Sequence, residues 1–311
     1  MSTVHKIAQA GFGAGTNDLY DRIRPRYQPW GLKHIKESLA SDGPYNVVEI
    51  GAGTGIFTRA LLADPEWSPS IKELRAVEPS EGMRSVFSKS VNDERVKVSD
   101  GTFDTTGVED GWADLVVIAQ AFHWCPDHQR AAKEFERILK PNGAVAMIWN
   151  LEDRDAERWA AQVRDLIEQH EHGTPQFRLE LWRAYFKTPQ YEDGFGAPNE
   201  KTWSYHLEAD EDIVVDRASS KSYISVLPPD EKARVQAGDS GEIVQRRVTT
   251  CSGVDKERGL FKYPYKTWGC YLGRRSRPSF GIRTQTFDAG RVTVQHQNRF
   301  HECDVMSPVT K

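Results

Sequence analysis

Gly51, Gly53 and Gly55 stand at alternate positions between an apolar run, Asn46–Ile50, and an amphipathic stretch, Ile56–Leu62. A glycine turn between a strand and a helix lets the backbone bend sharply and come close to a ligand where a Cβ would collide. The helix start that follows offers unpaired N–H groups. Glu49, two residues before the first glycine, brings a carboxyl group that can orient a ligand ammonium. Glu78 ends a second apolar run, 23 positions after Gly55. A carboxylate there can accept both hydroxyls of a ribose, each charged hydrogen bond contributing about 1.5–3 kcal/mol. Asp100 and Gly101 follow a third, weaker run and can meet an adenine amino group and a ring nitrogen. Met83 or Phe103 can pack on an adenine face, and Met83 suits a core position equally well.

Two ligand classes use such a turn. Dinucleotides want G-x-G-x-x-G/A, in which the third small residue lets helix and strand pack closely. Ile56 occupies that position, so the dinucleotide pattern fails and an NAD-dependent oxidoreductase is disfavoured. S-adenosylmethionine has no pyrophosphate, and its methionine end carries the ammonium that Glu49 suits. Short glycine-rich turns also occur in unrelated α/β proteins.

Methyl transfer from a sulfonium asks mainly that a nucleophile be held in line, about 3–3.5 Å from the methyl carbon. A base is needed only when the acceptor is protonated. His123 follows the fourth apolar run, and an imidazole with an unperturbed pKa of about 6.5 suits such work. It can equally shape the pocket wall with Trp124. Trp149 and Asn150, at the end of the fifth run, face the same edge and can contact a substrate or, for Trp149, fill the core. Arg24 can pair with a carboxylate of the cofactor or of an acidic substrate. His170 and His172, at i, i+2, do not share a helix face.

The elements that must position these groups alternate. Strands are expected at Asn46–Ile50, Glu73–Val77, Arg95–Val98, Ala113–Ala119 and Gly143–Trp149, with helices at Ile56–Leu62, Glu81–Lys89 and His128–Leu139 between them. The turn Lys140-Pro141-Asn142-Gly143 follows the last helix. Strands alternating with helices give βαβ units and a parallel sheet, which binds ligands at the carboxyl ends of its strands. Asn17–Ala40 reads as two short helices bent at Arg24–Trp30 by Pro25 and Pro29. Farther on, Arg158–Gln169 and Ile213–Leu227 read as helices, the latter stopped by Pro228-Pro229. Trp203–Leu207 and Phe261–Leu272 read as strands. The aromatic cluster Phe177, Leu181, Trp182, Tyr185 and Phe186 can cap a pocket. Residues 1–16 read as mobile, and Arg274–Lys311 as a disordered polar tail.

The sequence VVEIGAGTG, then AVEPSEGM, SDGTFD, DLVVIAQAFHWC and ILKPNGAVAMIWN, resembles the class I S-adenosylmethionine-dependent methyltransferases. More narrowly it is similar to the methyltransferase type 11 group and its fungal and bacterial trans-aconitate-methyltransferase-like members. The resemblance implies an α/β fold: a doubly wound, mostly parallel seven-stranded sheet, Rossmann-like, with an antiparallel edge hairpin and a helical cap. It implies S-adenosyl-L-methionine as cofactor, held by Glu49, Gly51, Gly53, Gly55, Glu78, Met83, Asp100 and Gly101. Gln120 and Phe122 match the segment beside the methionine moiety. The N-terminal segment with Tyr20, Arg24 and Tyr27 folds over the cofactor in related enzymes. With Trp124, Trp149 and Asn150 these are the candidate substrate contacts.

The expected organisation is an N-terminal helical segment over 1–44, a cofactor domain over 45–150, cap and edge strands over 151–272, and the tail over 273–311. Residues 237–258 are polar for the helix expected before the last strand. The expected activity is methylation of a small molecule, a carboxylate oxygen as first choice; the alternative is a catalytically silent S-adenosylmethionine-binding regulatory protein. A net charge of −4, with 41 basic and 45 acidic residues, carries no nucleic-acid footprint. No apolar run reaches the roughly 18 residues of a membrane helix, and no apolar leader core opens the chain. Cys125, Cys251, Cys270 and Cys303 form no CxxC pair, so neither metal nor disulfide is expected and a cytoplasmic setting is. Nothing in the chain specifies an oligomeric state.

Overall fold

The computed structural model describes residues 17–235, 255 and 257–275. Seven strands form one sheet in the order β3-β2-β1-β4-β5-β7-β6. They are β1 (Tyr45–Ile50), β2 (Ile71–Val77), β3 (Val96–Ser99), β4 (Ala113–Ala119), β5 (Leu139–Glu152), β6 (Asn199–Ala209) and β7 (Phe261–Gly273). The first five run parallel; β7 is antiparallel to both β5 and β6. This is the doubly wound, Rossmann-like sheet that the alternation of runs implies.

Both faces of the sheet's centre are covered, which is why β1 and β4 read as near-continuous apolar runs. All six residues of β1 are buried. Side chains nevertheless alternate between two cores: Val48, Ile50, Val116, Ile118, Val145 and Met147 enter one, Val47, Leu115, Val117, Ala146 and Ile148 the other. The first core is closed by α5 (His128–Ile138) through Ala131, Phe135 and Ile138. The second is closed by α2 (Pro29–Glu37) and α3 (Ile56–Ala63), through Leu32, Ile35, Phe57 and Leu61. α1 (Asn17–Ile23) precedes the expected proline bend, and α4 (Glu81–Ser90) crosses between β2 and β3. Ser80 caps α4 by accepting from the Met83 N–H at 3.2 Å.

Four expectations need correction. Lys140–Gly143 is not a free turn but a bulge inside β5: Ala113 pairs with Leu139 and Leu115 with Ala144, so the extra residues loop out of the ladder. Lys140 Nζ, 2.7 Å from Asp114 Oδ2, ties the bulge to β4. The stretch 213–227 is two helices, α8 (Glu211–Ser219) and α9 (Ser222–Ser225), because the chain leaves α-helical geometry at Lys221. Pro229 opens α10 (Pro229–Arg234) rather than merely ending a helix, its fixed φ suiting the first turn. The edge hairpin is complete, pairing from Asn199↔Tyr271 to Ala209↔Phe261. Its end is anchored, with Arg274 N–H donating to Gly143 O at 2.9 Å and Arg275 N–H to Gly194 O at 2.8 Å. The first two residues of the expected tail are therefore docked. The expectations for residues 1–16, for 237–254 and for 276–311 lie outside the described residues. The cap over residues 151–235 contains α6 (Arg158–Glu168) and α7 (Pro189–Gly194) besides α8 to α10. Among the described residues no helix is long and apolar enough to cross a membrane.

Candidate functional site

β1 and β4 are neighbours where the strand order reverses, the place at which an open α/β sheet leaves a crevice at its carboxyl edge. The glycine loop follows β1, Glu78 follows β2, Asp100 follows β3, residues 120–124 follow β4, and Trp149–Glu152 close β5. The topology thus brings the strand-end candidates to one edge of the sheet.

The loop is built from positive φ: +72° at Gly51, +57° at Gly53 and +84° at Gly55. A Cβ on Gly51 would lie 2.5 Å from the Ala121 Cβ, so the β1 and β4 loops touch only because Gly51 has no side chain. At Gly53 a Cβ would meet nothing within 4 Å, so the loop is open there. Glu49 is 1% exposed and faces a cavity of about 40 Å³ with Tyr20, Arg24, Tyr27 and Gln120. Its carboxyl accepts from the Thr58 hydroxyl. Burial, partly offset by that bond, pushes its pKa up to about 8. Glu78 is also buried, and its carboxylate accepts from the N–H groups of Gly53 and Ser80, each at 2.9 Å. It therefore braces the glycine loop while keeping acceptor capacity for further donors.

The other candidates separate. Asp100 is exposed and paired with Arg84 Nη1 at 3.0 Å. Met83 is buried in α4. Gly101 is wedged against Val77 and the Thr105 carbonyl. Gln120, at φ +59°, turns its amide back to donate to Asn150 O at 2.7 Å. Phe122 is wholly buried among Phe103, Phe135 and Tyr185, so only its backbone segment borders the site. Tyr27 packs edge-on against Phe57 beside the loop. Asn150 is 2% exposed and bonded to Thr267 and Arg26, a brace rather than a free contact. Of the expected cap cluster, Trp182 and Tyr185 are core, Phe177 reaches the cavity wall, and Leu181 is exposed.

A second cavity of about 320 Å³ adjoins the first, and Tyr20, Arg24 and Gln120 line both. His123, Trp124 and Trp149 form part of its wall. Seven of its lining residues are Lys or Arg and three are Asp or Glu, a marked excess of positive charge in a chain whose net charge is −4. Glu152 is buried with Arg217 at 2.7 Å, Lys221 at 2.9 Å and Arg164 at 3.2 Å. Despite its burial, these cations hold its carboxyl well below the usual range. Arg24 stacks on the Tyr20 ring at 4.4 Å and donates to Ser220 O at 2.7 Å. Burial and the charge of Arg217 lower its pKa to about 10.

Glu152, Arg164, Arg217 and Lys221 escaped the sequence reading. A signal existed: Val214, Arg217 and Ala218 fall on one stripe of α8 whose apolar members are buried, so the charge of Arg217 on that stripe marks a buried polar site. Among the described residues no group of three His, Cys, Asp or Glu side chains is placed to hold a metal ion. Cys125 and Cys270 are buried free thiols, and burial raises the pKa of Cys125 to about 12.

Residues 48–147 match the family profile described as methyltransferase domain. An uncharacterized methyltransferase-like protein of Schizosaccharomyces pombe is 31% identical over 219 residues, covering 70% of this chain and 80% of the relative. The chain belongs to the class I S-adenosylmethionine-dependent methyltransferases. An uncharacterized methyltransferase of Mycobacterium tuberculosis is 29% identical to this methyltransferase over 267 residues, 86% of this chain and 97% of the other. The solved structure of an Anaeromyxobacter dehalogenans protein, named provisionally as a type II methyltransferase, superposes with a TM-score of 0.57 at 17% identity. It covers 82% of this methyltransferase and 99% of its own chain, a likeness of fold.

Proposed function

We propose that this methyltransferase binds S-adenosylmethionine at the glycine loop and methylates a small anionic acceptor, a carboxylate in the first instance, in the adjoining 320 Å³ cavity. The observation that carries the reading is the adjacency of the two cavities through Tyr20, Arg24 and Gln120, together with the positive excess of the larger one. The residues fit the cofactor: Glu49 is a buried carboxyl without a cationic partner at hydrogen-bond distance among the described residues, so a ligand ammonium answers it. Gly51 and Gly53 let the backbone approach, Glu78 offers its remaining acceptor sites to ribose hydroxyls, and Asp100 and Gly101 border the adenine end, with Met83 behind. Bound there, the cofactor supplies a methyl group already activated by its sulfonium. Arg24, supported by Tyr20 and Tyr27, draws the anionic acceptor toward the loop, while Trp124 and Trp149 exclude water.

Isothermal titration of the protein with S-adenosylmethionine and, separately, NAD(H) tests the cofactor reading. Micromolar binding of the first alone is the expected result; binding of NAD(H) alone overturns it. A labelled-methyl screen over small carboxylic acids, with amines and phenols as a counter-screen, tests the acceptor. Cofactor binding without transfer to any class would instead favour a silent regulatory protein. Glu78→Ala loses both the loop brace and the ribose acceptor, so its affinity for S-adenosylmethionine falls roughly tenfold or more. Unchanged affinity in a folded Glu78→Ala protein removes Glu78 from the site.

A further inference from the structure

We propose that Trp149 locks His123 as a neutral imidazole whose Nε2–H orients the acceptor, so His123 takes up no proton and the nucleophile reaches the site already ionised. The inference rests on the reading of the larger cavity as the acceptor site. Its basis is a single directional contact. The Trp149 indole Nε1 lies 3.2 Å from His123 Nδ1. An indole N–H only donates, so Nδ1 must present its lone pair, and the one hydrogen of the neutral ring then sits on Nε2. A second ring proton would set N–H against N–H.

Neither partner is free to turn away. Trp149 is 1% exposed and hemmed in by the rings of Phe177, Trp182 and Trp268 at 5.0, 5.2 and 5.5 Å. His123 sits in a tight turn closed by Trp124 N–H to Ala121 O at 2.9 Å and Cys125 N–H to Phe122 O at 3.0 Å. Desolvation first, then the charges of Arg24 and Lys221, push the imidazole pKa down to about 3. The acids on the cavity wall are equally committed: Glu152 to its three cations, Glu168 to Arg154 and Arg164, Asp155 to Lys266. Lys221 is engaged by Glu152.

A proton-neutral step follows from this wall. An oxygen lone pair of the acceptor forms the new O–CH3 bond, the pair of the CH3–S bond stays on sulfur, and no proton leaves. Carboxylates meet that condition at pH 7 and alcohols do not, so the locked imidazole selects the acceptor by its ionisation.

Histidine-labelled protein followed by two-bond 1H–15N correlation from pH 8 to pH 5 reads the tautomer without any activity. The His123 signals, assigned by their loss in His123→Gln, are expected to show the Nε2–H form throughout and not to titrate. In Trp149→Phe, which takes the donor away from Nδ1, the Nδ1–H form is expected to appear beside the Nε2–H form, while burial and the charges of Arg24 and Lys221 still keep the ring from titrating in this range. Titration near the ordinary value of about 6.5 in the wild type, or the Nδ1–H form there, overturns the lock. The kinetic arm uses whichever acid the acceptor screen finds. The glutamine of His123→Gln can put an N–H where Nε2–H stood but cannot accept a proton. It is expected to keep kcat/KM within about threefold, the loss lying in KM, whereas His123→Ala loses about tenfold or more. Equal losses in the two variants overturn the donor role. If no acid is methylated, the tautomer measurement still decides the lock, and the failure belongs to the acceptor reading alone.

Discussion

Glu152→Gln is expected to lower the stability of the fold by about 3–5 kcal/mol, the usual cost of removing one partner from a buried ion pair. Arg217, at 2% exposure, and Lys221, at 9%, would then face each other without a counter-charge. For a domain of this size the melting temperature falls on the order of 10 °C. The double variant Glu152→Gln, Lys221→Met removes one of the stranded charges and regains part of the loss. The pH dependence carries the same signature. Glu152 has a folded pKa depressed below its unfolded value, so its contribution is present above about pH 4.5 and is lost as pH falls through the folded pKa. Thermal melts of the three proteins from pH 8 down to pH 2 measure it. A Glu152→Gln melt within a degree or two of the wild type would show that the cluster is not a coupled unit.

Glu49 gives the second large effect, with the opposite sign. Its folded pKa is raised to about 8, so between the unfolded value and pH 8 the folded chain holds a proton that the unfolded chain has released. Stability therefore falls as pH rises through that window, and Glu49→Gln flattens the slope. An ammonium placed beside the carboxyl demands that it ionise. Cofactor binding at pH 7 then releases roughly nine-tenths of a proton, and affinity strengthens toward pH 8, by up to about tenfold per unit, before levelling off. Titrations in two buffers of different ionisation enthalpy count the proton directly. Identical heats in both buffers would leave Glu49 away from the ammonium. Glu49→Gln loses the proton release and most of the pH dependence.

The two residues show what a sequence can and cannot yield. The central parallel strands β1 and β4 were legible because they are buried on both faces and read as apolar runs bounded by turn residues, whereas β3, with no buried residue, gave only a weak run. Ala113–Ala119 emerged with its boundaries unchanged. The glycine loop was legible because alternate glycines between strand and helix have few other uses. The bulge at Lys140–Gly143 was not, since proline and glycine suit a turn and a bulge alike; only the pairing of Ala113 and Leu115 with Leu139 and Ala144 separates them. Asn150 and Phe122 were legible as neighbours of the site but not as braces, because the partners Thr267, Phe135 and Tyr185 come from distant segments. The cationic wall was hidden for the same reason. Glu152 and Lys221 are 69 positions apart, and nothing local in either segment announces the other.

The order of the sheet also bears on how the chain is made. Among the described strands β7 comes last in sequence yet lies between β5 and β6, so two strands synthesised earlier must wait for it. Until residues 261–273 emerge, the backbone of β5 from Ala144 to Glu152 has no partner on that side. An unpaired strand edge on a nascent chain is a site for wrong pairing, and non-local closure of this kind slows folding. Chains cut before Phe261 would carry the glycine loop and both cavity-lining tryptophans, Trp124 after β4 and Trp149 in β5, on a sheet that cannot close. β7 thus acts as the keystone of assembly although it carries none of the cofactor-binding signature.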